Sequence, residues 1–257
     1  MVLPVRDRLP TSRRPWVNRL LLLINIVVFV FFEPWSAPSA CTQQAFFLEY
    51  AAIPAEIAQG EPLDAREVAV STSGGCELSP IPDKPVYLAI VSAMFLHAGW
   101  AHLLGNMLFL WIFGDNVEDR FGHLRYLGFY LLCGVLATLA FVVPSPGSPS
   151  TLVGASGAIA GVLGSYLVLF PRSRITVIVL PLWFLPFRLP ALLVLGFWLL
   201  LQVLEVRIGD MAGGGVAYLA HVAGFIAGMA ITWWWGVHRA PHPAPVIARR
   251  RGVRGRG

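Results

Sequence analysis

Long apolar runs alternate with short polar breaks along most of this chain. Runs of helical length fall at residues 17–32, 101–113, 124–143, 155–170, 190–206 and 216–237, and each predicts a helix. Residues 85–114 contain no Asp, Glu, Lys or Arg, and neither do residues 126–171. The segment PSPGSPS at 144–150 cuts the second stretch into two helices. Residues 115–125 predict a short polar loop. Residues 207–215 end in Gly213, Gly214 and Gly215 and predict a flexible loop acting as a mobile cap. Pro181 and Pro186 make 175–188 an interfacial or re-entrant connection, because proline lacks a backbone donor and bare backbone in lipid is costly. Residues 33–84 read as a long polar loop, with short interfacial helices within 43–58.

Composition turns these helices into membrane spans. Apolar residues make up 56% of the 257 positions and charged residues only 13%, against roughly 25% charged in soluble domains. A disordered chain is excluded, and a soluble globule does not fit. The expected fold is all-α, a polytopic membrane bundle of six transmembrane helices over 17–237. A basic segment at 1–16 and a Pro/Arg-rich tail at 238–257 flank it.

The net charge of +5 suggests nucleic acid only until its positions are read. Eleven of the nineteen basic residues flank the spans at the two termini, whereas 33–84 holds eight carboxylates against Arg66 and Lys84. Basic flanks mark the cytoplasmic side of a bilayer protein. Both termini are therefore expected in the cytoplasm and the 33–84 loop outside, in a multi-pass protein of the bacterial plasma membrane. Nucleic acid is not an expected partner. A second reading takes the first helix as a cleaved signal peptide ending at the small residues 36–40.

Polar groups within spans are expensive and need a reason. Helices two, four and six run in the same direction, and near their starts they carry His102 with Asn106, Ser156, and His221. These groups share a depth. Small residues lead to Ser156 at a helix N-terminus, where unpaired N–H groups and the helix dipole can hold an oxyanion. Gly157 with Gly161, and Gly224 with Gly228, form two GxxxG pairs that let helices four and six approach closely. That approach would bring Ser156 within reach of His221. His102 and Asn106 lie four apart on one face and can aim donors at the same point. Each feature also has a structural reading: a helix cap, a core histidine or interhelical glue.

Taken together, the residues resemble the rhomboid family of intramembrane serine proteases. The matching segments are His97-Ala98-Gly99-Trp100-Ala101-His102-Leu103-Leu104-Gly105-Asn106, Gly114-Asp115-Asn116-Val117-Glu118-Asp119-Arg120-Phe121-Gly122, Gly154-Ala155-Ser156-Gly157 and Ala220-His221-Val222-Ala223-Gly224, in the family's order. The resemblance covers residues 85–236. It implies Ser156 as nucleophile and His221 as general base, a dyad without a third acid. It implies His102, Asn106 and the Ser156 backbone N–H as the oxyanion hole, and His97 as structural. It also implies single-pass transmembrane proteins in the lipid bilayer as substrates, cut near the outer membrane face, and no cofactor. The rivals are a transporter or channel, and a catalytically silent relative that only binds membrane proteins.

The chain departs from the family pattern at two places. The aromatic often found four residues after the serine is Ala160 here, so another group must hold the histidine ring. The Trp-Arg pair of the first loop is absent from 33–85. Cysteines give no zinc spacing, and no metal is expected. Cys41 and Cys76 both fall in the loop expected outside, where a disulfide can persist, while Cys133 is expected to stay a free thiol.

Overall fold

The computed structural model describes residues 2–7, 9–36, 39–72, 75–179, 186–212 and 217–236. The chain is mostly helical. Helix α1 spans Trp16–Phe31, followed by the short α2 (Ala40–Tyr50), α3 (Pro54–Gln59) and α4 (Ala65–Ser71). Next come α5 (Ala89–Ser92) and a 3-10 turn (Ala93–Phe95), then α6 (Trp100–Phe121), α7 (His123–Val142) and α8 (Ser156–Leu169). The last helices are α9 (Ala191–Ala212) and α10 (Tyr218–Trp234).

Helix α8 is the axis of the bundle. Every residue from Gly157 to Tyr166 is buried, as expected of a helix that is apolar all round and enclosed by its neighbours. Helices α6, α7, α9 and α10 pack on it, α10 most extensively. Glycine explains that preference. A Cβ on Gly224 would collide with the Gly157 carbonyl, and one on Gly228 with the Gly161 carbonyl. The two GxxxG pairs therefore face each other, backbone against backbone.

Among the described residues, one helix, α7, is both long and apolar enough to cross a membrane alone. Helices α1, α8 and α10 are apolar but run to 10–17 residues, short of the roughly 20 that a straight crossing takes; α9 runs 22 residues, of which Ala191–Val206 is apolar. Helix α6 continues from α5 and the 3-10 turn through an 89° bend.

Three expectations need correction. Residues 115–121 are helical, so only Gly122 separates α6 from α7. Their polar side chains have protein partners. Glu118 accepts from the N–H groups of Val17 (3.0 Å) and Asn18 (2.7 Å). Asp119 accepts from Arg13 N–H (2.8 Å) and from the Ser12 hydroxyl (2.8 Å). Glu118 thereby caps the first turn of α1, where Pro15 offers no side-chain cap, and Asp119 holds the segment that leads into it. Second, the fold is not purely α. The proline-rich 175–188 segment gives strands β2 (Arg174–Val179) and β3 (Pro186–Pro190), which join β1 (Val2–Arg6) in an antiparallel sheet ordered β1-β2-β3. Strand pairing supplies the hydrogen bonds that a re-entrant loop would lack. Third, the helix read as ending at 206 runs on through Ala212, so most of the 207–215 loop is α9. Gly213, Gly214 and Gly215, on which the mobile cap rested, lie outside the described residues.

The 33–84 segment is more than a polar loop. Leu48, Ile53, Ala55, Leu63 and Val68 form a small core of their own. A disulfide joins Cys41 of α2 to Cys76 beyond α4, with Cα atoms 5.4 Å apart, and Cys133 is free and buried in α7. Beneath this core lies a buried ion pair, Lys84 Nζ to Glu56 Oε2 at 2.6 Å. The ammonium also donates to the carbonyls of Leu48 (2.7 Å) and Ala51 (3.0 Å). Burial pulls the Lys84 ammonium below its ordinary value, and the Glu56 carboxylate opposes that shift.

Candidate functional site

The loop that delivers Ser156 is held from two sides. Ala52 and Leu152 exchange both backbone hydrogen bonds (3.2 and 2.7 Å), and Ala55 N–H donates to Ser148 O (3.0 Å). From the other side Gly154 N–H donates to Ala93 O in the 3-10 turn (2.9 Å). Gly154 sits at φ 127°, and a Cβ there would strike the His102 ring. Only glycine meets both demands. Ser156 then opens α8.

Helices α6, α8 and α10 all begin at this end of the bundle, so His102, Ser156 and His221 converge. Ser156 Oγ lies 2.8 Å from His221 Nε2. The α8–α10 glycine contacts set that separation, because bulkier residues would hold the two helices apart. On the far side of the ring, His221 Nδ1 meets Gln202 Oε1 of α9 at 2.7 Å. An amide oxygen only accepts, so Nδ1 carries the proton and Nε2 is left free to accept from the serine.

His102 and Asn106 lie one turn apart on α6. His102 Nδ1 accepts from Ala98 N–H at 3.4 Å, which leaves Nε2 as its donor. The Asn106 amide nitrogen is buried and has no hydrogen-bond partner among the described residues. A buried unpaired donor is costly unless something arrives to accept from it. Both side chains line one cavity of about 720 Å3 together with Ser156, His221, Gln202 and Trp198. Its walls are largely apolar, including Phe109, Ile159, Ala160 and Leu163.

His97 stands apart from this cavity, fully buried. Its backbone N–H donates to both carboxylate oxygens of Glu33 (3.0 and 3.1 Å), tying the end of α1 to the start of α6. Among the described residues, no cluster of three or more His, Cys, Asp or Glu could hold a metal.

Sequence reasoning missed the α9 contribution. Trp198 lies beside the imidazole, its ring 6.1 Å from that of His221 at 34°, and Tyr218 meets the ring edge-on at 6.2 Å. One signal was available. Gln202 is the single polar residue between Arg188 and Glu205, and a lone amide in an apolar span needs a partner.

A bundle of apolar helices that gathers serine, histidine and unspent donors around an apolar cavity defines a class of helical proteins with an internal polar site. Comparison with known proteins narrows it. The family described as "Rhomboid domain" matches residues 84–237. The chain therefore belongs to the rhomboid family, and it is a membrane protein. It is 31% identical over 159 residues to "Rhomboid-like protein 11, chloroplastic" of Arabidopsis thaliana, covering 58% of this chain and 52% of that protein. It is 33% identical over 164 residues to "Rhomboid-like protease 5" of Toxoplasma gondii, covering 62% of this chain and 17% of that protein. Against "Rhomboid protease GluP" of Bacillus subtilis it is 45% identical over 85 residues, 33% of this chain and 16% of that protein. The chain thus spans about half the length of the first relative and far less of the other two.

Proposed function

We propose that this protein is an intramembrane serine protease that cuts single-pass membrane proteins by a Ser156–His221 dyad. One observation carries the reading: Ser156 Oγ lies 2.8 Å from the acceptor nitrogen of His221, in the cavity that also holds the unpaired Asn106 amide. His221 Nε2 takes the hydroxyl proton as Oγ attacks a peptide carbonyl, giving a tetrahedral oxyanion. His102 Nε2–H, the Asn106 amide and the Ser156 backbone N–H stabilise that oxyanion. The proton then passes from His221 to the departing amine, leaving an acyl-enzyme. Water activated by the same imidazole releases the acid and restores Ser156.

The apolar cavity walls suit a substrate segment that unwinds out of a helix, since a helical peptide bond is shielded by its own hydrogen bond. In this reading six segments cross the bilayer, the termini are cytoplasmic and the site opens outward. The short helices α8 and α10 then end below the membrane surface, so that the cavity above them admits water for deacylation.

The test is a fluorophosphonate probe and a transmembrane substrate, applied to the purified protein in detergent. Wild type is expected to label at Ser156 and to cleave. Ser156→Ala and His221→Ala are expected to do neither while staying folded. Cleavage retained in either variant removes the dyad. Absence of labelling in the wild type supports a silent, substrate-binding relative instead.

A further inference from the structure

We infer that Gln202 of α9 is a positioning residue that fixes the tautomer and the orientation of His221. The inference rests on the dyad reading for its effect on rate, but its geometry stands separately.

A dyad lacks the carboxylate that would orient a histidine in a triad, so something else must hold the ring. Helix α8 cannot do it, because Ala160, one turn below Ser156, offers only a methyl group. Helix α9 takes over. Trp198 and Gln202 are four residues apart and share one face, and that face meets α10. Trp198 packs beside His221 and stacks on Phe225 (6.0 Å, 28°), while Gln202 Oε1 receives the Nδ1 proton at 2.7 Å. The imidazole is thus fixed at both nitrogens, by α9 on one side and by Ser156 on the other.

The orientation of the amide decides the chemistry. With Oε1 toward the ring, Nδ1 is protonated and Nε2 accepts from Ser156. With the amide reversed, its N–H2 would donate to Nδ1, Nε2 would hold the proton, and the serine would lose its base. As Nε2 gains the serine proton, the ring becomes a cation, and the carbonyl dipole of Gln202 strengthens its bond to Nδ1–H. The bond is therefore stronger in the charged state than in the resting one, which is the condition for lowering the barrier. Of the titratable groups around the ring, His102 of α6 and Tyr218 of α10 face it. Neither is in hydrogen-bond contact with Nδ1, which leaves the position to Gln202.

The test pairs kinetics with a readout that needs no turnover. Gln202→Leu keeps the bulk and removes the acceptor. It is expected to lower kcat about 10- to 100-fold, the loss of one hydrogen bond to a developing charge, with KM for a transmembrane substrate little changed. Gln202→Glu keeps the acceptor. It is expected to retain turnover and to move the acid limb of the kcat/KM profile to higher pH. Nitrogen-15 NMR of the histidine side chains in detergent, with the signal assigned by its loss in His221→Ala, should show Nδ1–H in wild type and in Gln202→Glu. It should show a mixture of tautomers in Gln202→Leu. An unchanged tautomer and pH profile in Gln202→Leu overturns the inference, whatever the cleavage rate. If the tautomer shifts as expected but wild type neither cleaves nor labels at Ser156, the positioning stands and the protease reading falls.

Discussion

Lys84→Met tests the idea that the 33–84 segment is a folded support for the nucleophile loop. Lys84 and Glu56 side chains are 1% and 2% exposed, 2.6 Å apart. The same ammonium also bonds the carbonyls of Leu48 and Ala51, and the next residue, Ala52, pairs with Leu152 on the way to Ser156. Methionine fills the space of the stem but strands the Glu56 carboxylate, whose other polar contact among the described residues is Leu63 N–H at 3.3 Å. Breaking a buried ion pair from one side costs about 3–5 kcal/mol. That is roughly a 10²- to 5 × 10³-fold rise in opening of this segment. The assay is limited proteolysis of the native protein in detergent at low protease, where cleavage follows the open fraction. Cleavage should fall within 33–84 and should rise before the helices unfold. Lys84→Met with Glu56→Leu removes both charges and should recover most of the loss, because a buried pair gains little over apolar residues of similar volume. A rise of less than about tenfold in the single variant, or no recovery in the double, refutes the reasoning.

Three more outcomes follow from the geometry. Asn106→Ala should slow turnover about 10²- to 10³-fold with a smaller effect on KM, since it removes one oxyanion donor; unchanged single-turnover cleavage would take Asn106 out of the hole. Gly228→Val places atoms where the Gly161 carbonyl lies and should separate α10 from α8. Fluorophosphonate labelling at Ser156 should then fall by about 10²-fold, and labelling at the wild-type rate would show that the contact does not set the dyad. Burial raises the Glu33 carboxyl to about 7 from 4.5, against the opposing His97 N–H bond. A group with a raised folded value contributes stability below pH 4.5 and loses it as the pH climbs through 7. Thermal unfolding in detergent should show that decline, and Glu33→Gln should flatten it; an identical slope in the variant would exclude Glu33 as its source.

Hydropathy alone determined where the main helices run. Runs without charge can only be buried in lipid or protein, and α1, α7, α8 and α10 start and stop within two or three residues of the expected limits. It also pointed to Ser156, His221, His102 and Asn106 as neighbours at one end of the bundle, where they line one cavity, because helices running the same way place similar sequence positions at similar height. The paired glycines disclosed which helices would touch, since only small residues permit backbone contact. Local pattern failed where polar residues are satisfied at a distance. Residues 115–121 looked like a loop until Val17, Asn18, Ser12 and Arg13 arrived to occupy their carboxylates. The strands at 174–179 and 186–190 depend on each other and on β1, about two thirds of the chain away. The acidic 33–84 segment hid a core because its apolar residues come from three short helices and the turns between them, each helix supplying a single residue. The acceptor behind His221 was decided only by the fold. A single glutamine in an apolar run signals that it needs a partner, but which partner depends on α9 and α10 meeting with residues 198 and 202 set against 225 and 221.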